Sequence, residues 1–364
     1  MRLKQHSRFG FIALHTKRIS RTPSAKKTLH AVAAMALSLV TFQSALANVN
    51  LATAPVFLKE SVDPNLMFIY DDSASMSREY MPDSIANDLS FFLYFRTRVW
   101  YYSSQVNKVY YDPDIIYRAP FKPDGTGRRD ANDFENAWFD GYTENGNANL
   151  NESYPTARVN WNNSAFYYDF DSTVNGCDAN PKNDNCYSIV FLTNESDEQK
   201  QNFANWYAYY RTRAFASRAG ISEAFFDLPQ SIRLGYGALG SDDQDIDGED
   251  MDTIISGVRP YTSARRTEFL TWLQGKETNL GFTPLRTSLE DAGEYYSRTD
   301  NQGPWGGTPG TNDTTPQIEC RPSYTILMTD GVYNGGSPSV GNADKTAAPA
   351  IRDPARPWSI TLTR

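Results

Sequence analysis

Short apolar runs alternating with helical stretches predict an α/β fold on a largely parallel sheet, and three observations carry that expectation. Residues 66–70 (Leu-Met-Phe-Ile-Tyr) and 324–329 (Tyr-Thr-Ile-Leu-Met-Thr) are short apolar runs without strict polar alternation, as in strands buried on both faces. Residues 232–239 read as a further strand, and stretches with helical spacing lie between these runs. The first and last runs both stop abruptly in polar residues, Asp71-Asp-Ser-Ala-Ser75 and Asp330-Gly331, as strands do at the crevice of an open α/β sheet.

Taken in order, residues 1–47 hold eight basic residues and no acidic one, then an apolar run over 31–42 and the small-residue end Ser44-Ala-Leu-Ala47. That pattern is a secretory signal peptide, and its apolar run falls short of the roughly 20 residues a bilayer span needs. An uncleaved anchor is the competing reading. Residues 48–65 form a lead-in. The main domain is expected over 66–338, with a large loop-rich insertion over 78–197. The insertion's aromatics, as in Val109-Tyr-Tyr-Asp-Pro-Asp-Ile-Ile-Tyr117 and Ala137-Trp-Phe-Asp-Gly-Tyr142, read as a small core of its own in preference to a sugar-stacking surface. Residues 85–102 fit a helix or an extended segment equally well.

Phe203, Trp206, Tyr207, Tyr210, Ala214, Ile221 and Phe225 recur at helical spacing and predict one helix over 197–227, opened by a Ser196/Gln199 capping box and packed on the sheet. A second helix is expected over 265–274. A third begins at Pro284, with Thr283 as its N-cap and Leu285, Leu289, Ala292 and Tyr296 on one face. Residues 301–316 form a loop. Residues 339–364 read as a Gly/Pro/Ala-rich tail, so the sheet is expected to lack its last strand–helix units.

Composition excludes several functions. The chain has 35 basic and 43 acidic residues; without the signal, 27 basic residues face 43 acidic ones, which disfavours nucleic acid. All three histidines (His6, His15, His30) lie in the signal, which removes Ser-His-Asp and Cys-His catalysis and histidine-bound zinc. Export implies an oxidising compartment. Cys177 and Cys186 flank a polar, turn-rich stretch and are expected to form a local disulfide, worth roughly 2–3 kcal/mol in the chain-entropy model. Cys320 is left over.

Three polar clusters are expected to meet at the strand ends: Asp71-x-Ser73-x-Ser75, Thr283, and Asp330. Two carboxylates and three hydroxyls make an all-oxygen set suited to a hard cation, Mg²⁺ or Ca²⁺, with Mn²⁺ also admitted. Only two formal charges face the ion, so a partner carboxylate could fill an open position. A second, weaker pattern is Asp243-x-Asp245-x-Asp247-Gly248, which imitates the start of a calcium loop; its twelfth position is Ile254 and not glutamate, and a solvated acidic loop is the competing reading.

Phe68-Ile-Tyr-Asp-Asp-Ser-Ala-Ser-Met76, Gly281-Phe-Thr-Pro-Leu285 and Thr325-Ile-Leu-Met-Thr-Asp-Gly331 resemble the von Willebrand factor A domain and its metal-ion-dependent adhesion site. With Gln201-Asn-Phe-Ala-Asn-Trp-Tyr-Ala-Tyr-Tyr-Arg-Thr-Arg213 and Asp330-Gly-Val-Tyr-Asn-Gly-Gly-Ser337, the sequence resembles more narrowly the N-terminal region of the PilY-type type IV pilus proteins. The resemblance implies a doubly wound sheet. It also implies a role in pilus biogenesis, adhesion and twitching motility, and a place in the periplasm, outer membrane, pilus or cell surface of a Gram-negative bacterium. The partners it implies are minor pilins or the pilus tip and a host or abiotic surface. It further implies Ser73, Ser75 and Thr283 as direct ligands, with Asp71 and Asp330 as outer or mixed ligands. The alternatives are a scaffold whose metal only stabilises the fold, and a Mg²⁺-dependent hydrolase with Asp71 as nucleophile. Ser73 stands where the common phosphatase pattern wants a second aspartate.

Overall fold

The computed structural model describes residues 62–88, 98–156, 160–278, 281–311, 313–318, 320–331 and 333–339. The expected signal peptide, most of the lead-in and nearly all of the tail lie outside the described residues.

Four strands form the main sheet: β1 (Asn65–Tyr70), β2 (Arg233–Ala238), β3 (Ile254–Pro260) and β4 (Ser323–Met328). Their order is β3-β2-β1-β4. β1 lies between two parallel neighbours, pairing with β2 and β4 along its whole length from Asn65 to Tyr70. β3 is antiparallel to β2. The sheet is thus mixed and mostly parallel, as expected for an α/β fold.

The run 66–70 is apolar throughout because both of its faces are covered. Successive side chains of a strand point to opposite sides. Met67 and Ile69 therefore pack with Leu239, Val258, Ala292 and Tyr295, while Phe68 and Tyr70 pack with Phe225, Leu234 and Phe269. β4 is less covered: Tyr324 and Ile326 remain exposed.

The helices are α1 (Asp197–Tyr209), α2 (Arg213–Phe226), α3 (Ser263–Gly275) and α4 (Leu285–Ser297). The single helix expected over 197–227 is two. Ser196 caps the first, its side chain accepting from Gln199 N, but the Gln199 side chain turns to Tyr111 OH and Pro113 O instead of completing the expected capping box; Thr212 caps the second by accepting from Phe215 N. The aromatic stripe divides at the break. Phe203, Trp206 and Tyr207 pack into the insertion, and only Ala214, Ile221 and Phe225 face the sheet. Two half-stripes at compatible phase read as one helix because periodicity carries no record of which core each half joins. α4 starts one residue later than expected: its N-cap is Pro284, without a side-chain cap, so Thr283 precedes the helix. Its buried face runs through Ser288, Ala292 and Tyr295, and Leu289 is exposed.

Between β1 and α1 lie three small antiparallel hairpins, Ala137–Asp140 with Asn145–Ala148, Tyr154–Pro155 with Asn160–Trp161, and Phe166–Phe170 with Tyr187–Phe191. Their aromatics form a core with α1, built around Tyr102, Tyr110, Tyr154, Phe166, Phe203 and Trp206. The polar tips are satisfied inside it: Tyr110 OH donates to Phe166 O at 2.7 Å, and Trp206 Nε1 to Val109 O at 3.0 Å. Burial drives the Tyr110 and Tyr154 phenols far above their ordinary pKa. Of the stretch 85–102, residues 85–88 belong to a short helix over Ser84–Asp88 and Val99–Tyr102 form a 3₁₀ turn, while 89–97 lie outside the described residues. Cys177 and Cys186 form the expected disulfide across a surface loop, with Cα atoms 5.7 Å apart, and Cys320 is free and exposed.

Gly237 lies where β3 shifts register against β2, and a Cβ there would stand 2.1 Å from Thr253 O and 3.0 Å from Ile254 Cα. These are backbone atoms that a rotamer change cannot clear. Gly237→Ala should therefore lose about 1–3 kcal/mol in urea denaturation. Gly220→Ala on α2, where a Cβ meets nothing within 4 Å, should be neutral or more stable by up to about 1 kcal/mol.

Candidate metal centre

The parallel pairing of β1 with β4 brings their carboxyl ends side by side. Asp71 N donates to Met328 O at 3.0 Å, extending the ladder one residue past β1. Asp71, Asp72 and Ser73 are nearly fully buried, and a buried charge must be met by donors. Asp71 Oδ1 accepts from Ser73 N at 2.9 Å, which folds the chain back on itself, and its Oδ2 accepts from Thr329 Oγ1 at 2.7 Å. A 3₁₀ turn over Ala74–Ser77 follows and turns Ser75 inward.

Ser73, Ser75 and Asp330 form a line of oxygens. Ser73 Oγ and Ser75 Oγ are 2.9 Å apart, and Ser75 Oγ donates to Asp330 Oδ1 at 3.1 Å. A hydroxyl has one proton. Ser75 gives its proton to Asp330, so Ser73 is the donor into Ser75. Ligand oxygens at about 2.0–2.1 Å from an octahedral ion are about 3 Å from their neighbours, which is the spacing seen along this line. The separations are equally those of hydrogen bonds, and it is the all-oxygen chemistry of the donor set that suits a hard cation.

Four of the five expected residues, Asp71, Ser73, Ser75 and Asp330, are joined by these contacts. Thr283 is buried beside the loop that follows Asp330: its N–H donates to Asn334 Oδ1 at 2.7 Å, and Asn334 N donates to Thr283 O at 3.0 Å. The hydrogen bonds thus tie Thr283 to the Asp330 loop through its backbone. Among the described residues no three His, Cys, Asp or Glu side chains gather in a metal-binding group.

Arg213, at the first position of α2, is a residue the sequence reading missed. Its buried guanidinium donates to Asp330 Oδ2 at 2.6 Å, Asp83 Oδ1 at 2.6 Å and Tyr80 O at 2.7 Å. No periodicity marks it, because it sits in the break between α1 and α2. Asp72, next to Asp71 in sequence, faces elsewhere. It accepts from Gly240 N at 2.9 Å and pairs with Lys276 at 2.9 Å. It closes the β1–β2 end of the sheet and adds no oxygen to the line.

The residues of the calcium-loop pattern do not converge. Gln244–Ile246 and Glu249–Met251 form a tight hairpin, and Asp247 and Gly248 at its turn have φ of 61° and 88°. Asp-Gly suits such a two-residue turn. Asp247 is buried against Arg259 and accepts from Tyr295 OH at 2.8 Å. Asp245 accepts from Gly248 N at 2.8 Å, and Asp243 is exposed. The alternation of carboxylates serves a hairpin in which Asp247 points to the core and Asp245 to its own turn.

Comparison with known proteins bears on the same region of sequence. The type IV pilus biogenesis factor PilY1 of Pseudomonas aeruginosa strain PAK is 35% identical over 321 residues, 83% of this chain and 26% of that protein. The chain is similar to part of PilY1. The PilY1 of strain PAO1 gives the same identity and coverage, and that of strain UCBPP-PA14 is 30% identical over 341 residues, 89% of this chain and 28% of that protein. The chain spans about a quarter of the length of these PilY1 relatives. The similarity supports the PilY-type resemblance. No family model matches the chain, and no solved structure matches it. Among the described residues no helix is long and apolar enough to cross a membrane.

Burial pushes the Asp83 carboxyl up, but Arg213 and Arg78 outweigh it, and its pKa lies below the ordinary 3.8. A carboxyl lowered by folding contributes stability above its unfolded pKa and loses it as the pH falls through the folded value. The stability gap between wild type and Asp83→Asn should therefore be present at pH 7 and shrink below pH 3.8; urea titrations at both ends of that range measure it.

Proposed function

We propose that this chain is a metal-ion-dependent adhesion or assembly module of the type IV pilus system, with a von Willebrand factor A-like site that binds a divalent cation and offers it to a partner carboxylate. The observation that carries the reading is the line Ser73 Oγ–Ser75 Oγ–Asp330 Oδ1, with steps of 2.9 and 3.1 Å, at the joined ends of β1 and β4. Its setting, a chain similar to a pilus biogenesis factor, supports the pilus role. In this reading the protein is exported and works at the periplasm, outer membrane, pilus or cell surface. Its partners are minor pilins or the pilus tip, and a host or abiotic surface.

The electrostatics favour an open position. Arg213 offsets the charge of Asp330, so a divalent ion held by Ser73, Ser75, Asp330 and Asp71 keeps uncompensated positive charge. A carboxylate from outside would neutralise it. The all-oxygen set admits Mg²⁺, Mn²⁺ or Ca²⁺. Thr283, tied to the Asp330 loop through its backbone, is the fifth oxygen of the proposed set. Catalysis is the weaker reading, because Asp71 is buried and both of its oxygens accept hydrogen bonds, a poor state for a nucleophile.

Calorimetric titration of the chain with Mg²⁺, Mn²⁺ and Ca²⁺ tests the site. Saturable binding is expected in the wild type, weakened about 10–100-fold or more in Asp71→Ala/Ser73→Ala. A folded wild type that binds none of the three ions sinks the assignment. Thr283→Ala separates adhesion from a purely stabilising metal: under the proposal it folds normally and loses partner binding, whereas a scaffold role predicts only a lower melting temperature with metal present.

A further inference from the structure

Beside the oxygen line runs a groove of about 310 Å³, lined by Met76, Met81, Ile115, Tyr210 and Met328 and also by Asp330. That volume is at the lower limit of ligand pockets, which span about 300–1,000 Å³, and matches a single large side chain better than a whole small molecule. The wall is mainly apolar, and Met81 and Ile115 are exposed at its mouth. Met81 and Met328 supply a surface that adapts to the shape it meets, with Met76 buried behind them.

Lys108 and Arg213 are the cationic residues of the groove's lining, and Asp330 is its carboxylate. Lys108 lines it and keeps an exposed ammonium, which donates to Ser104 O at 2.9 Å. Asp330 carries negative charge, but its oxygens are committed to Ser75 and Arg213. With a divalent ion on the oxygen line, the charged groups at the groove would be net positive and the rest of its wall apolar. A cationic occupant would be repelled, and an apolar one without charge would leave that charge unmatched.

We propose that this groove receives a large apolar side chain that stands next to an aspartate or glutamate on a partner polypeptide, so that the cation takes the carboxylate while the methionine wall takes its neighbour. The proposal rests on the cation reading of Ser73, Ser75 and Asp330. It gives the site a specificity that the ion alone lacks, since any exposed carboxylate can meet a metal, and only one with a bulky apolar neighbour also buries area in the groove.

The test is NMR of the full chain labelled with ¹³C at the methionine methyls, in Mg²⁺, with N-acetyl-Phe-Asp-amide as the probe. Saturable shifts at Met81 and Met328 are expected. N-acetyl-Gly-Asp-amide and N-acetyl-Phe-Asn-amide should each bind about tenfold more weakly or worse, a difference of about 1.4 kcal/mol. Ala216→Trp, which fills the groove from α2, and Ile115→Ser at its exposed mouth should both remove the preference for Phe-Asp over Gly-Asp while leaving the Mg²⁺ titration unchanged. Equal binding of Phe-Asp and Gly-Asp to the Mg²⁺-loaded chain overturns the groove and leaves the cation site standing. So does an equal response to octanoate, which would indicate an acyl chain, or methyl shifts that follow protein concentration without peptide, which would indicate a second copy. A chain that binds no Mg²⁺ overturns the cation reading and the groove with it.

Discussion

A carboxylate taken out of water has to be surrounded by donors, and Asp71 imposes that requirement at the centre of the sheet. Its two oxygens are met from two directions, by the backbone of Ser73 and the hydroxyl of Thr329. One contact bends the chain after β1 into its turn. The other fixes the end of β4 against the end of β1. The positions of Ser73, Ser75 and Asp330 follow from those two commitments, because each lies within two residues of a group that Asp71 has already placed. Asp330 repeats the problem one strand over, and there the answer comes from Arg213, which also holds Asp83 and Tyr80. The contacts that hold the fold here thus run through the same atoms that the proposed cation site would use.

Much of this was legible in the sequence where one physical rule acts alone. The strands β1, β2 and β4 were readable because β1 is covered on both faces and so is apolar without alternation. Asp71, Ser73, Ser75 and Asp330 were readable because each follows a strand at a fixed short distance, and parallel pairing converts those distances into proximity. The cap at Ser196 was readable because the donor it satisfies is local.

What was not legible depended on partners remote in sequence. The break between α1 and α2 is invisible to periodicity, since both halves are amphipathic and only the core they face differs. Arg213 carries no local pattern, and its value lies in Asp330, 117 residues away. Thr283 was placed as a cap because Pro284 suits a first helical position, whereas Asn334 holds its backbone and Pro284 itself takes the cap. Asp243, Asp245 and Asp247 mimic a calcium loop in spacing, but spacing cannot show that a positive-φ turn at Asp247 and Gly248 sends the carboxylates to different targets.

The division of the aromatic stripe at residues 210–212 has a consequence for how the molecule comes apart. One core holds the hairpins together with α1, the other holds the sheet together with α2 and α3, and the three residues between the helices carry no continuous hydrogen-bond ladder from one to the other. Cooperative opening units follow contiguous cores, not chain order. Amide exchange should therefore reveal two blocks of protection whose border falls inside what looks like one helix, with Arg213 and with Tyr142, which donates to both Tyr209 O and Phe215 O, among the contacts that tie them together.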